Sequence, residues 1–246
     1  GVIKVFQREE IDFDLVVGTS IGSLIGAVYC LGIPVEEVEK LAFKTSAMGL
    51  LDVTISRMGL TEGSKLEQII NQAVKGKTFS DVRVPLAVTA LDIETGEELY
   101  FTSGDLVKTI KASCSLPGIF KPVEIGGRIL IDGGIREHLP VDTAKKLGAD
   151  IVVGVDVGFC VKKGKIANML GIIMQSIQIM GRELSFHQSS KADILIKPDL
   201  GEEADQMAFN KAEFIIKKGE EAAERALPEL KKILTSKNGR PRQKSG

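Results

Sequence analysis

Residues 14–26 read Asp-Leu-Val-Val-Gly-Thr-Ser-Ile-Gly-Ser-Leu-Ile-Gly. The apolar run Leu15–Val17 predicts a short strand, and the apolar spacing from Ile21 to Leu31 predicts a helix. Gly18-Thr19-Ser20-Ile21-Gly22 stands at the junction. A sharp strand-to-helix turn lifts a serine hydroxyl clear of the backbone, and Gly18 and Gly22 are expected to relieve the crowding such a turn creates. The helix that begins at Ile21 aims unpaired backbone N–H groups toward Ser20, where an oxyanion on a substrate carbonyl would be stabilised. Gly-x-Ser-x-Gly alone is a weak signal; the strand before it and the helix after it give it weight. The pattern implies an acyl hydrolase with Ser20 as nucleophile.

Outward from this stretch, helical and strand-like segments alternate. An amphipathic helix from Val2 to Ile11 precedes the strand, and Gly32-Ile33-Pro34 ends the helix after it. Helices are expected at Val35–Lys44, Lys65–Val74, Asp105–Ser113, Val141–Lys146, Ile166–Phe186 and Ala212–Leu234. Met48–Leu60 reads as irregular and apolar. Strands are expected at Val84–Leu91, Glu98–Thr102, Arg128–Ile131, Ile151–Val155 and Ile194–Ile196, the first two joined by a hairpin through Glu94-Thr95-Gly96. Near-continuous apolar strands between helices predict a single α/β domain, 1–235, with a mainly parallel central sheet flanked by helices. Residues 236–246 read as a basic, disordered tail.

A chain of 246 residues with 43% hydrophobic and 26% charged residues has the composition of a globular protein with a substantial core. Its net charge of −1 argues against nucleic-acid binding over the whole surface. Cys30, Cys114 and Cys160 lie in apolar surroundings without metal-ligand spacing, so they are expected to be buried, reduced thiols of a cytoplasmic protein. No metal or organic cofactor is expected, no secretory signal is read, and Ile166–Gly181 is too short and polar to span a bilayer. Ile166–Met180 could face lipid, giving peripheral membrane contact, but its spacing favours a packed core helix.

A serine nucleophile needs a base. Asp132 ends an apolar strand and is followed by Gly133-Gly134, which permit close approach of another segment; a partly desolvated carboxylate there is basic enough to accept a hydroxyl proton. The histidines are His138 and His187. The order Ser20…Asp132…His187 formally satisfies a hydrolase triad, yet His187 lies in a surface-like helix among Arg182, Glu183 and Gln188. A triad esterase or thioesterase therefore stays open as an alternative, as does a catalytically silent lipid-binding protein.

Gly-Thr-Ser-Ile-Gly-Ser after Asp-Leu-Val-Val, together with Asp132-Gly133-Gly134, resembles the patatin-like phospholipase family. The likeness extends through residues 85–92, 95–97, 112–123, 139–141 and 148–150, most of residues 1–157. It implies hydrolysis of lipid acyl esters by a serine–aspartate dyad, Ser20 and Asp132, with no histidine. The Ser115-Leu116-Pro117-Gly118-Ile119-Phe120 stretch is implied to wall the dyad. The family pattern also places a glycine-rich oxyanion loop with a basic residue ahead of the helix at Gly1. The chain lacks that loop; the expectation is that it precedes Gly1, with a truncated, weakened enzyme as the alternative. The resemblance implies nothing about oligomeric state.

Overall fold

Leu86–Asp92, strand β2, is buried at every position and organises the rest. The computed structural model describes residues 1–44, 61–158, 168–201 and 211–237. On one side of β2 lies the parallel strand β1 (Val16–Gly18), with Val16 opposite Leu86 and Gly18 opposite Val88. The antiparallel neighbours of β2 are β3 (Glu98–Phe101) and β5 (Arg128–Asp132), and β5 pairs in turn with β4 (Val123–Ile125). A separate parallel pair joins β6 (Val153–Val155) to β7 (Ile194–Ile196).

The α/β class, with a central sheet flanked by helices, is as expected, but the sheet is mixed rather than mainly parallel. Only β1 runs parallel to β2 within it. Part of the reason is local: β2 and β3 form one hairpin, and β4 and β5 form another around Gly126 and Gly127, which sit at φ +61° and +77°. Two adjacent left-handed residues make the tight turn that suits the twist of paired strands, and such a turn forces an antiparallel return. The β2–β3 hairpin forms where expected, with Asp92 accepting from the Glu94 and Thr95 N–H groups and Gly96 at φ +71°.

The helices are α1 (Val2–Arg8), α2 (Ile21–Cys30), α3 (Val35–Lys44), α4 (Ser64–Val74), α5 (Leu106–Ser113), α6 (Val141–Lys146), α7 (Met169–Ser189) and α8 (Ala212–Lys237). Helix α1 stops short of Ile11, the chain turning at Glu10 with φ +53°. Asp105 caps α5 by accepting from Lys108 N–H, and Asn168 caps α7 by accepting from Gly171 N–H. Leu86 and Val88 join Leu24, Val28, Leu31, Ile70, Val74 and Ile110 in the main core, so α2, α4 and α5 cover one face of the sheet. Val17 points the other way, toward Leu139, Val141 and Val152 around α6.

Helix α7 departs from the core-helix expectation. Its buried residues are Gly181, Ser185 and Gln188, whereas Met169, Ile172, Ile173, Ile179, Met180 and Phe186 are exposed. The apolar spacing is real, but the stripe faces outward. No helix among the described residues is long and apolar enough to cross a membrane. The readings of Met48–Leu60, Cys160, Ile166 and the tail after Lys237 lie outside the described residues.

Leu130 is fully buried in β5, with Ala90, Ala112 and Val123 around it. Leu130→Ala is expected to lower stability by about 2–5 kcal/mol, the range for a large-to-small change in a core, as measured by urea unfolding followed by circular dichroism.

Candidate active site

Strands β1 and β5 lie end to end along one edge of β2, with β3 on the other edge, and run toward each other. Gly18 is level with Val88, and Asp132 is level with Ala90, so both strands end on either side of Thr89. Continuing the parallel register by two residues would bring Ser20 to the level of Ala90 and Asp132. Asp132 already occupies that edge of β2, so the chain leaves the sheet at Ser20 and turns into α2, which leaves the Ser20 and Asp132 side chains facing each other across the junction of the two strand ends. The Ser20 Oγ donates to Asp132 Oδ2 at 2.6 Å.

Each partner is held independently. Ser20 has φ +52° and ψ −131°, a conformation that L-residues rarely adopt and that persists only where neighbours impose it. Its N–H donates to the Ser113 Oγ at 2.8 Å, and its carbonyl accepts from the Ser23 hydroxyl at 2.6 Å. Asp132 receives the Gly134 N–H on Oδ1 at 2.8 Å, while its own N–H donates to the Ser115 carbonyl. Between them, the Thr19 and Thr89 hydroxyls are 2.7 Å apart, and Thr19 donates to the Glu137 carbonyl at 3.2 Å.

The glycines around the site have different jobs. A Cβ on Gly18 would stand 2.5 Å from the Ser23 Cα, and one on Gly133 would stand 2.7 Å from the Thr89 Oγ1. Both positions require glycine. Gly22 is different from expectation: a Cβ there would meet open space, so crowding does not demand glycine at that position. The helix N-terminus also offers less than expected, because Gly22 N–H donates to the Thr19 carbonyl and Ser23 N–H to the Ser20 carbonyl. Ile21, half exposed at the first turn, carries the N–H left for a ligand.

Asp132 is buried, and burial pushes its carboxyl up to about 6 against the opposing pull of the Ser20 hydroxyl, the Gly134 N–H and nearby His138. Such a group is ionised near neutrality yet basic enough to take a hydroxyl proton. Burial, with the Asp132 charge beside it, raises the Cys114 thiol well above its ordinary range. Cys30 is pushed up to about 12 by burial; both thiols are free and buried.

Each histidine faces a carboxylate other than Asp132. His138 faces Asp156 at 3.7 Å, in a group with Ser185 and Lys197, whose oxygen and nitrogen lie 2.8 and 3.0 Å from that carboxylate. Burial opposes ionisation of Asp156, but His138, Lys197, Ser185 and the Gly158 N–H hold it well below the usual carboxylate range. His187 is exposed on α7 beside Glu183 at 3.5 Å, so the Ser20…Asp132…His187 triad is not assembled.

Thr19, Thr89, Ser113 and Glu137 were not singled out from the sequence. Thr89 carried a usable signal: a lone hydroxyl in an otherwise apolar central strand needs a buried partner. Ser113 and Glu137 gave none, since their roles depend on contacts remote in sequence.

Comparison with known proteins bears on this arrangement. The profile of the patatin-like phospholipase family matches residues 1–145. An uncharacterized NTE family protein of Mycobacterium tuberculosis is 29% identical over 157 residues, 63% of this chain and 44% of that protein. Lysophospholipase nte1 of Aspergillus niger is 34% identical over 164 residues, 64% of this chain and 11% of its own length. Patatin-like phospholipase domain-containing protein 6 of Mus musculus is 31% identical over 166 residues, 64% of this chain and 12% of its own. The chain thus spans less than half the length of each of these relatives.

The glycine geometry makes a paired prediction. Gly133→Ala drives a methyl into Thr89 and is expected to cost about 1–3 kcal/mol, typical of overpacking, whereas Gly22→Ala leaves stability unchanged or raises it, as glycine-to-alanine does inside a helix. Thermal unfolding of both variants checks the contrast.

Proposed function

Because this chain belongs to the patatin-like phospholipase family, we propose that it hydrolyses carboxylic esters of lipids through a Ser20–Asp132 dyad. One observation carries the reading: the 2.6 Å hydrogen bond from the Ser20 hydroxyl, on a strained strand-to-helix turn, to a buried carboxylate. Asp132 accepts the Oγ proton as Oγ bonds to the ester carbonyl carbon. The oxyanion that forms receives the Ile21 N–H. Collapse breaks the ester C–O bond, and the leaving alcoholate takes the proton from Asp132, leaving the acyl group on Ser20. Water then gives a proton to Asp132 and attacks the acyl carbon, the fatty acid leaves, and the Ser20 hydroxyl is restored.

The family and the lysophospholipase named among its relatives support phospholipids or lysophospholipids as the substrate class. The protein acts from the cytoplasm in this reading, consistent with the free thiols of Cys30 and Cys114. It reaches lipid by resting on a bilayer rather than crossing one. The outward stripe of α7 supports that contact, because α7 packs on the Gly133–Ile135 turn and Leu170 stands 3.1 Å from where a Gly118 Cβ would lie. Exposed Ile21 and Ile25 extend apolar surface onto α2. The domain 1–235 is proposed as the catalytic unit.

A fluorophosphonate probe tests the dyad on the full chain. Ser20→Ala is expected to abolish labelling, and Asp132→Asn to slow it about 10²–10⁴-fold, the usual contribution of a general base. His138→Gln and His187→Ala are expected to label like the wild type. Labelling that survives Ser20→Ala would overturn the reading. For the membrane contact, Ile172→Asp with Met180→Asp is expected to reduce co-sedimentation with phosphatidylcholine vesicles by about tenfold or more, since each buried side chain of this size contributes about 1.5–3 kcal/mol; unchanged co-sedimentation removes α7 from the contact.

A further inference from the structure

Glu137 is buried on the loop that leaves Asp132, and the hydrolytic steps do not use it. Its backbone carbonyl takes the Thr19 hydroxyl, next to the nucleophile. Its carboxyl reaches forward to α6, where Oε1 accepts the Thr143 N–H at 3.0 Å and Oε2 lies 2.5 Å from the Thr143 Oγ1. The same Oγ1 is 3.0 Å from Glu98 Oε1 on β3. Two carboxyl groups therefore crowd one hydroxyl, which has a single proton to donate.

Two like charges at this range, one buried and one partly buried, cannot both persist cheaply, and one proton between the carboxyl groups supplies the missing donor. Burial, and then Glu98, push Glu137 up to about 7. Burial opposes ionisation of Glu98 too, but hydrogen bonds from Glu137 and Thr143, with Lys146 and Arg136 nearby, hold it low. The proton thus resides on Glu137 and the charge on Glu98. Lys191 also faces Glu137, while the adjacent His138 faces Asp156. The loop has a second fastening on its outer side: Gln188 of α7 donates to the Arg136 carbonyl and accepts from the Leu139 N–H.

We propose that Glu137 is a positioning residue for the Ser20–Asp132 pair, and that the proton it shares with Glu98 latches the loop from Asp132 to Thr143 against the nucleophile turn. The proposal rests on the dyad reading above. When both carboxyl groups ionise, they repel across Thr143, the loop backs away from Thr19, and Asp132 loses its alignment with Ser20. Misalignment strikes kcat rather than KM, because substrate binding does not pass through Glu137.

The test follows kcat and KM of the full chain on a soluble short-chain p-nitrophenyl ester, from about pH 5 to about pH 9. Wild-type kcat is expected to fall by about tenfold above neutrality, within the up to about 10²-fold cost of small misplacements, with KM nearly constant. In Glu98→Gln and in Glu137→Gln, an amide N–H replaces the shared proton, and the alkaline fall disappears. Glu137→Ala lacks the latch and is expected to be slow at every pH. A wild type with no alkaline fall overturns the proposal without any variant, as does a fall that persists unchanged in either amide variant that melts cooperatively. Turnover that survives Ser20→Ala would instead defeat the dyad reading, a different result from an unaltered alkaline limb.

Discussion

Two strands that approach each other end to end along one edge of a third create this site. Strand β1 delivers Ser20 from one direction and β5 delivers Asp132 from the other, and the register of each on β2 stops them on either side of Thr89. The short contact between hydroxyl and carboxylate follows from that convergence. Gly133 must lack a side chain because it passes over Thr89, Thr19 must be polar because it meets Thr89, and Ser113 fixes the turn by accepting the Ser20 N–H. A slip of one residue in either strand would send its side chains to the opposite face of the sheet. Strand register is therefore the constraint on which the chemistry depends.

The same burial that makes Asp132 a useful base works against the fold. Its carboxyl has an ordinary value of 3.8 and is held at about 6 in the folded protein. Folding favours the protonated form, so this group's contribution to stability is complete below its unfolded value and is lost as pH rises through about 6. Base function needs the ionised form and grows over that same interval. Glu137, pushed up in the same sense, adds to the loss at slightly higher pH. Activity and stability are thus opposed across the acid-to-neutral range, and the glycine, serine and threonine contacts around the site offset the cost of keeping two carboxyl groups buried.

The nucleophile turn and the aspartate were legible in the sequence because each is a local signal: an apolar strand that runs into glycine and a functional side chain. Helix positions were legible for the same reason, with α3 and α6 matching their expected limits. The direction of β5 was not read, although Ile125-Gly126-Gly127-Arg128 carries a hairpin turn; β4 is only three residues long and does not stand out as a strand. Helix α7 shows a different limit. Periodicity tells which residues share a face, but not whether that face turns inward. Gly22 was credited with relieving crowding that only coordinates can measure. Glu137 and Ser113 act through partners far along the chain, which local pattern does not reveal.

The pH dependence of ester turnover in a chain without histidine, His138→Gln combined with His187→Ala, tests the account most directly. Direct proton transfer to Asp132 predicts that this variant still turns over, with a rising limb governed by one group near pH 6, and that adding Asp132→Asn removes the limb together with most of the rate. Loss of turnover on removal of the two histidines, or a limb that survives Asp132→Asn, would contradict it.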